Sequence, residues 1–175
     1  MRAWWFIVLA RGKVGVVFMP RSWRQTGAGV AQFVESLEDK LREMVGPDER
    51  LPRTICSDRG PGLYQNGSGY IVEQYRKAVH RAGFHTFAGD DASNQPPDMA
   101  DFWPHETAVS WIRAQMKKTP LEKGVGLEQM QKDFQANMKE AVRHINENHD
   151  VDGLCRSFPS RVAELKAAKG GRIKH

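Results

Sequence analysis

Apolar residues run almost unbroken over residues 3–9 and again over 14–19, with Arg11-Gly12-Lys13 between them. Two short runs rich in aromatic and β-branched residues around a glycine turn predict an antiparallel β-hairpin. Beyond Pro20 and a basic loop, Val30, Phe33, Val34, Leu37, Leu41, Met44 and Val45 recur at helical spacing with charged residues between them. That pattern predicts an amphipathic helix, stopped by Gly46-Pro47. Residues 53–58, Arg-Thr-Ile-Cys-Ser-Asp, predict a short interior strand that ends on the carboxylate of Asp58, because Gly60-Pro61-Gly62 forbid its continuation.

A second helical stripe, Ile71, Val72, Tyr75, Ala78, Val79 and Ala82, closes at Gly83, and residues 84–88 predict the next strand. Residues 92–103 include Pro96-Pro97 and predict a loop. Pro104 suits the first position of a helix whose buried side is Val109, Ile112 and Met116, with Glu106 in its first turn. A linker over 119–126 leads to a long helix carrying Leu127, Met130, Phe134, Met138, Ala141, Val142 and Ile145 on one face. A last helix is expected over roughly 160–169, before Gly170-Gly171 and a basic tail. The order of these elements predicts an α/β class. It also brings Asp58 and an acid from the 90–106 region to the same end of one sheet, where such folds place ligands; taken alone, Asp58 reads more readily as the start of a turn.

Composition narrows the partners more than the fold. The 175 residues carry a formal net charge of +5, which suits a polyanion. Basic residues gather at Arg21 and Arg24, at Lys117 and Lys118, and along 161–174, where Lys166, Lys169, Arg172 and Lys174 stand. These are candidate phosphate contacts, with Trp23 a candidate to stack on a base; a solvated basic face is the equal alternative for each cluster. Cys56 and Cys155 form no CxxC pair, which argues against a disulfide framework or zinc knuckle and for a reducing compartment, nuclear or cytoplasmic rather than secreted. The apolar start is too short to span a bilayer, so no membrane association is expected. His105-Glu106 lacks a second zinc histidine, valine standing at 109, and neither Gly60-Pro-Gly62 nor Gly67-Ser-Gly69 continues as a phosphate loop.

Several of these stretches, in this order, resemble the catalytic domain of mariner-like transposases, members of the DDE superfamily with a ribonuclease H-like fold. The hairpin with Gly12-Lys13-Val14-Gly15 at its turn and the helix behind it are similar to that family's second and third strands and first helix. Ser57-Asp58 with Pro61 resembles the motif of the second catalytic aspartate. Gln95-Pro96-Pro97-Asp98-Met99 resembles the loop before the third acid, with Glu106 and Trp111 in the helix that follows. Residues 155–161 and 169–174 resemble the family's closing helix and Gly-Gly tail.

The resemblance implies a ribonuclease H-like mixed sheet flanked by helices, a partial catalytic core over residues 1–118, and a helical C-terminal extension with a basic tail over 119–175. It implies DNA as partner, Mg²⁺ or Mn²⁺ as cofactor, and metal-assisted hydrolysis and strand transfer at a DNA phosphodiester. Asp58 and Glu106 become the catalytic, metal-binding acids, with Asp101 and Asp98 as rivals to Glu106. The chain departs from the family at its start: the central first strand is missing, and no acid precedes Glu35. A site short of one bridging carboxylate is expected neither to nick nor to join DNA. The alternative is a non-enzymatic nucleic-acid or protein interaction module that keeps the fold. The long helix can serve as core or as a homodimer face.

Overall fold

A computed structural model describes residues 5–24, 26–55, 70–86, 103–118 and 124–168. The chain is mixed α/β and divides into two compact units, Met1–Phe18 with Met99–His175, and Met19–Asp98.

In the first unit, β1 (Trp5–Ala10) and β2 (Lys13–Phe18) form the expected antiparallel hairpin. The turn is tighter than the three residues read from the sequence, because Lys13 already pairs with Ala10. Arg11 and Gly12, at φ 51° and 70°, make a two-residue turn of the kind whose twist matches the strands. The register runs from Trp5 opposite Phe18 to Leu9 opposite Val14. Val14 and Val16 face a core shared with α3 (Pro104–Met116), α4 (Leu127–Asn148) and α5 (Val151–Arg156). Its centre is Ala108, Ile112, Met138, Ala141, Val142, Ile145, Val151 and Leu154. In α3 Ile112 is buried and Met116 packs against the core as expected, but the residue buried one turn earlier is Ala108 rather than Val109.

The long stripe of α4 is buried only in its second half. Met138, Ala141, Val142 and Ile145 are covered, whereas Leu127 is 52% exposed. Where one terminal helix was expected there are two. The Asp150 side chain accepts from Gly153 N–H at 2.7 Å and starts α5, which contributes Val151 and Leu154 to the core. After Ser157, α6 (Phe158–Ala167) begins with Pro159 in its first turn.

In the second unit, Thr26 caps α1 (Gly27–Val45) by accepting from Gly29 N–H at 3.2 Å, so the helix begins before the apolar stripe does. Val34, Leu37, Leu41, Met44 and Val45 are buried, and α1 packs on α2 (Tyr70–Arg81), in which Tyr75, Ala78 and Val79 are buried. Past α2, the N–H of Gly83 bonds to His80 O and that of Phe84 to Val79 O, a pattern that closes a helix through a left-handed residue, here Gly83 at φ 72°. The chain then enters β4 (His85–Thr86), which pairs in parallel with β3 (Thr54–Ile55). Among the described residues the hairpin and this parallel pair are separate two-stranded sheets, so the single sheet expected from the element order is not found there.

Candidate functional site

Glu106 is held by the start of α3. Trp103 is the residue before the helix, Pro104 presets the first turn, and Glu106 N–H donates to Trp103 O at 3.1 Å. The Trp103 indole is buried and stacks on Phe158 of α6, ring centres 5.5 Å apart. It therefore fixes the helix start, while Ala108 and Ile112 anchor the opposite side in the core. The Glu106 carboxylate points away from that core, its side chain 44% exposed, with His105 Nε2 3.3 Å from Oε1. A half-exposed carboxylate in the first turn of a helix can bind a hard cation or accept a proton. When His105 is protonated the two form an ion pair.

The other acids of the expected set, Asp58, Asp98 and Asp101, lie outside the described residues. Of the four, only Glu106 has a described side chain, and its partner is a sequence neighbour. Among the described residues no group of three His, Cys, Asp or Glu side chains could hold a metal ion.

The basic residues are mostly where solvent reaches them. Arg21 and Arg24 are exposed before α1, Lys117 and Lys118 are exposed at the end of α3, and Lys166 is exposed on α6. Arg24 is partly folded back, its Nη1 donating to Trp23 O at 2.9 Å and Arg21 O at 3.3 Å. Lys169, Arg172 and Lys174 lie outside the described residues. Trp23 corrects the reading of a base-stacking platform. It is only 5% exposed, and its indole N–H donates to Gly29 O at 2.8 Å, so the ring is a pin beneath the first turn of α1.

Three associations escaped the sequence pattern. Asn146 on α4 grips β2 at Val14, its Oδ1 accepting from Val14 N–H at 2.8 Å and its Nδ2 donating to Val14 O at 2.9 Å. It lies one turn beyond Val142, at the margin of the apolar stripe; that placement is the only signal a sequence offers. The hairpin turn rests on α5, where a Cβ added to Gly12 would lie 2.7 Å from Asp152 Cβ. Trp111 lies against His149, ring centres 4.4 Å apart, and His149 in turn is 6.4 Å from His144.

No helix of the described residues is long and apolar enough to cross a membrane. No protein-family model, curated protein or solved structure matches this chain.

Proposed function

We propose that the chain is a ribonuclease H-like domain of mariner-like transposase descent that binds DNA and, as an isolated polypeptide, does not turn over. The observation that carries this reading is the order and direction of the strands. An antiparallel hairpin is followed by α1, then by a parallel β3–α2–β4 unit with Asp58 just beyond β3 in sequence, then by α3 with Glu106 in its first turn. In the family's layout a central strand joins the hairpin to the parallel pair.

In this reading Asp58 and Glu106, with Asp101 or Asp98 as rival, would hold Mg²⁺ or Mn²⁺. Their oxygen donors suit either ion. When bound, the ion supplies charge to polarise a phosphodiester and to activate water. The chain's own contribution is to fix the Glu106 backbone through Trp103 and Phe158 and to offer exposed cations to the nucleic-acid backbone. No acid precedes Glu35 in the sequence, so the reading draws its metal-binding acids from Asp58 onward.

A second reading is a non-enzymatic nucleic-acid or protein interaction module, in which the Glu106 carboxylate, 3.3 Å from His105 Nε2, is a surface group of α3. Thermal melting separates the two. A retained site predicts that Mg²⁺ or Mn²⁺ raises Tm, by about 2.7 kcal/mol of stability at a hundredfold excess over Kd, and that Asp58→Asn and Glu106→Gln each remove the shift. Melting that ignores the metals, or a shift that survives both substitutions, would leave only the module. Metal-dependent cleavage of DNA by the isolated chain, lost in Asp58→Ala, would overturn the expected inactivity.

A further inference from the structure

From Gln74 to Thr86 the sequence holds no acidic residue, and it holds Arg76, Lys77, His80, Arg81 and His85. Folding adds Arg53 to this basic stretch. His85 N–H donates to Arg53 O at 2.7 Å where the chain enters β4, so Arg53, next to β3, stands beside the end of α2. Its guanidinium is fixed there, because Nη1 donates to Ala82 O at 3.2 Å and the group lies over the Phe84 ring, 5.3 Å from its centre. The His80 and His85 rings come within 6.2 Å of each other, centre to centre, and both residues are exposed, as is Arg81.

The carboxyl end of a helix is ordinarily its negative pole, which turns anions away. In α2 that pole is covered. The carbonyls of Lys77, Ala78, Val79 and His80 accept from Arg81 Nε and from the N–H groups of Ala82, Phe84 and Gly83, and Arg53 takes the carbonyl of Ala82. The neighbouring acids are accounted for as well. Glu73, the one acid of α2, pairs with Lys77 at 2.6 Å. On α1, which packs on α2, Glu38 pairs with Arg42 at 3.1 Å and Glu43 with Lys40 at 2.7 Å, while Glu35 and Asp39 are exposed.

We propose that this end of the second unit, with Arg53, His80, Arg81 and His85 at its centre, binds the phosphate backbone of a nucleic acid, and binds it more tightly as the two imidazoles gain protons. The choice of nucleic acid rests on the DNA-binding reading above. The cations form a row rather than a pocket, since Arg76 and Lys77 lie one turn, about 5.4 Å, before His80 and Arg81, and a row suits linked phosphates better than a single anion. Two exposed histidines also suit a transition metal, but the flanking arginines repel a cation and attract an anion. The surface is separate from the expected acids. β3 runs toward Asp58 and β4 lies parallel to it, so Arg53 and His85 stand at the amino ends of the strands, whereas Asp58 follows the carboxyl end of β3 in sequence. Binding here should therefore need no Mg²⁺. It should depend on pH, because histidine is the side chain whose charge changes between about pH 5 and 8.

Fluorescence anisotropy of the full chain on duplex DNA, without divalent metal, tests this over a salt series at about pH 5.8 and about pH 7.8. Affinity is expected to rise by about fivefold or more on acidification, with a salt slope steeper by about 0.9 for each imidazole that gains a phosphate. His80→Gln combined with His85→Gln should abolish that rise, and His144→Gln on α4 should keep it. Arg81→Gln should flatten the slope by about 0.9 at both pH values. Should the double variant lose its helical circular dichroism, footprinting the wild type with diethyl pyrocarbonate answers instead: bound DNA should protect His80 and His85 and leave the exposed His149 reactive. Binding whose pH dependence survives in the folded double variant, or a footprint in which neither histidine is protected, overturns the proposal and leaves the DNA-binding reading standing. No binding at either pH overturns both. Inorganic phosphate that displaces the DNA at constant ionic strength would assign the site to a free anion, which also overturns it.

Discussion

Gly12 carries two constraints at one position. Its φ of 70° lies in the left-handed region, and a Cβ there would meet both Cβ and Cα of Asp152, at 2.7 and 3.2 Å. Gly12→Ala is therefore expected to destabilise the chain by about 1–3 kcal/mol, read as a fall in urea midpoint at constant slope. Asp152→Gly should recover part of that loss, since it removes the side-chain clash but not the backbone strain. The same turn bears on Cys155, a free thiol. Burial raises its pKa above the ordinary value of 9.0, and the Asp152 carboxylate raises it further, while a backbone hydrogen bond from Gly12 works against both. A folded pKa above the unfolded one means that the neutral thiol's contribution is present below about pH 9 and is lost as pH rises through the folded value. Peptide-resolved alkylation at pH 8 should therefore find Cys155 slower than in the urea-unfolded chain, and Asp152→Asn should speed it in the folded state. Equal rates in the folded and unfolded chain would contradict this.

At the scale of elements, α4 separates composition from burial within one helix. Leu127 and Ile145 belong to the same apolar stripe, but Leu127 is 52% exposed and Ile145 is fully buried. Ile145→Ala should cost about 2–5 kcal/mol, because it leaves a cavity in the core beneath the hairpin. Leu127→Glu should stay within about 0.5 kcal/mol of wild type, since it uncovers nothing and places a negative charge in the first turn of the helix. Denaturant unfolding of the two variants measures both. If Leu127→Glu cost as much as Ile145→Ala, the first turns of α4 would have to be packed. In α1 the same principle runs the other way. The stripe from Val34 to Val45 is readable as buried, but the residues that start the helix are Thr26, by its cap, and Trp23, by the bond it donates to Gly29 O.

Across the whole molecule, the charge of +5 and the exposed Arg21, Arg24, Lys117, Lys118 and Lys166 bear on nucleic-acid binding rather than on fold. If these cations neutralise phosphates, affinity for duplex DNA should fall steeply with salt. Replacing Lys166, Lys169 and Arg172 by glutamine should then reduce the logarithmic slope by about 0.9 for each phosphate no longer neutralised. Fluorescence anisotropy over a salt series checks this; an unchanged slope would assign the tail to solvent.

The sequence by itself determined which stretches become strand or helix, because backbone period and turn chemistry are local. Alternating or continuous apolar runs, Gly83 at a left-handed position, Pro104 at a first turn and the glycine between β1 and β2 each act within a few residues of themselves. It missed α5, whose six residues are too few to show a period and include Gly153. It placed Glu106 in a first turn, which the fold places there too, but could not tell what else approaches that carboxylate. Only the tertiary structure decided what depends on residues distant in the chain. It closed the β2 edge with Asn146, which lies 132 positions from Val14, drew Trp23 inside, and left Leu127 outside a core that covers Ile145. Burial and edge pairing are properties of neighbours brought together by folding, and no local pattern of apolar residues contains them.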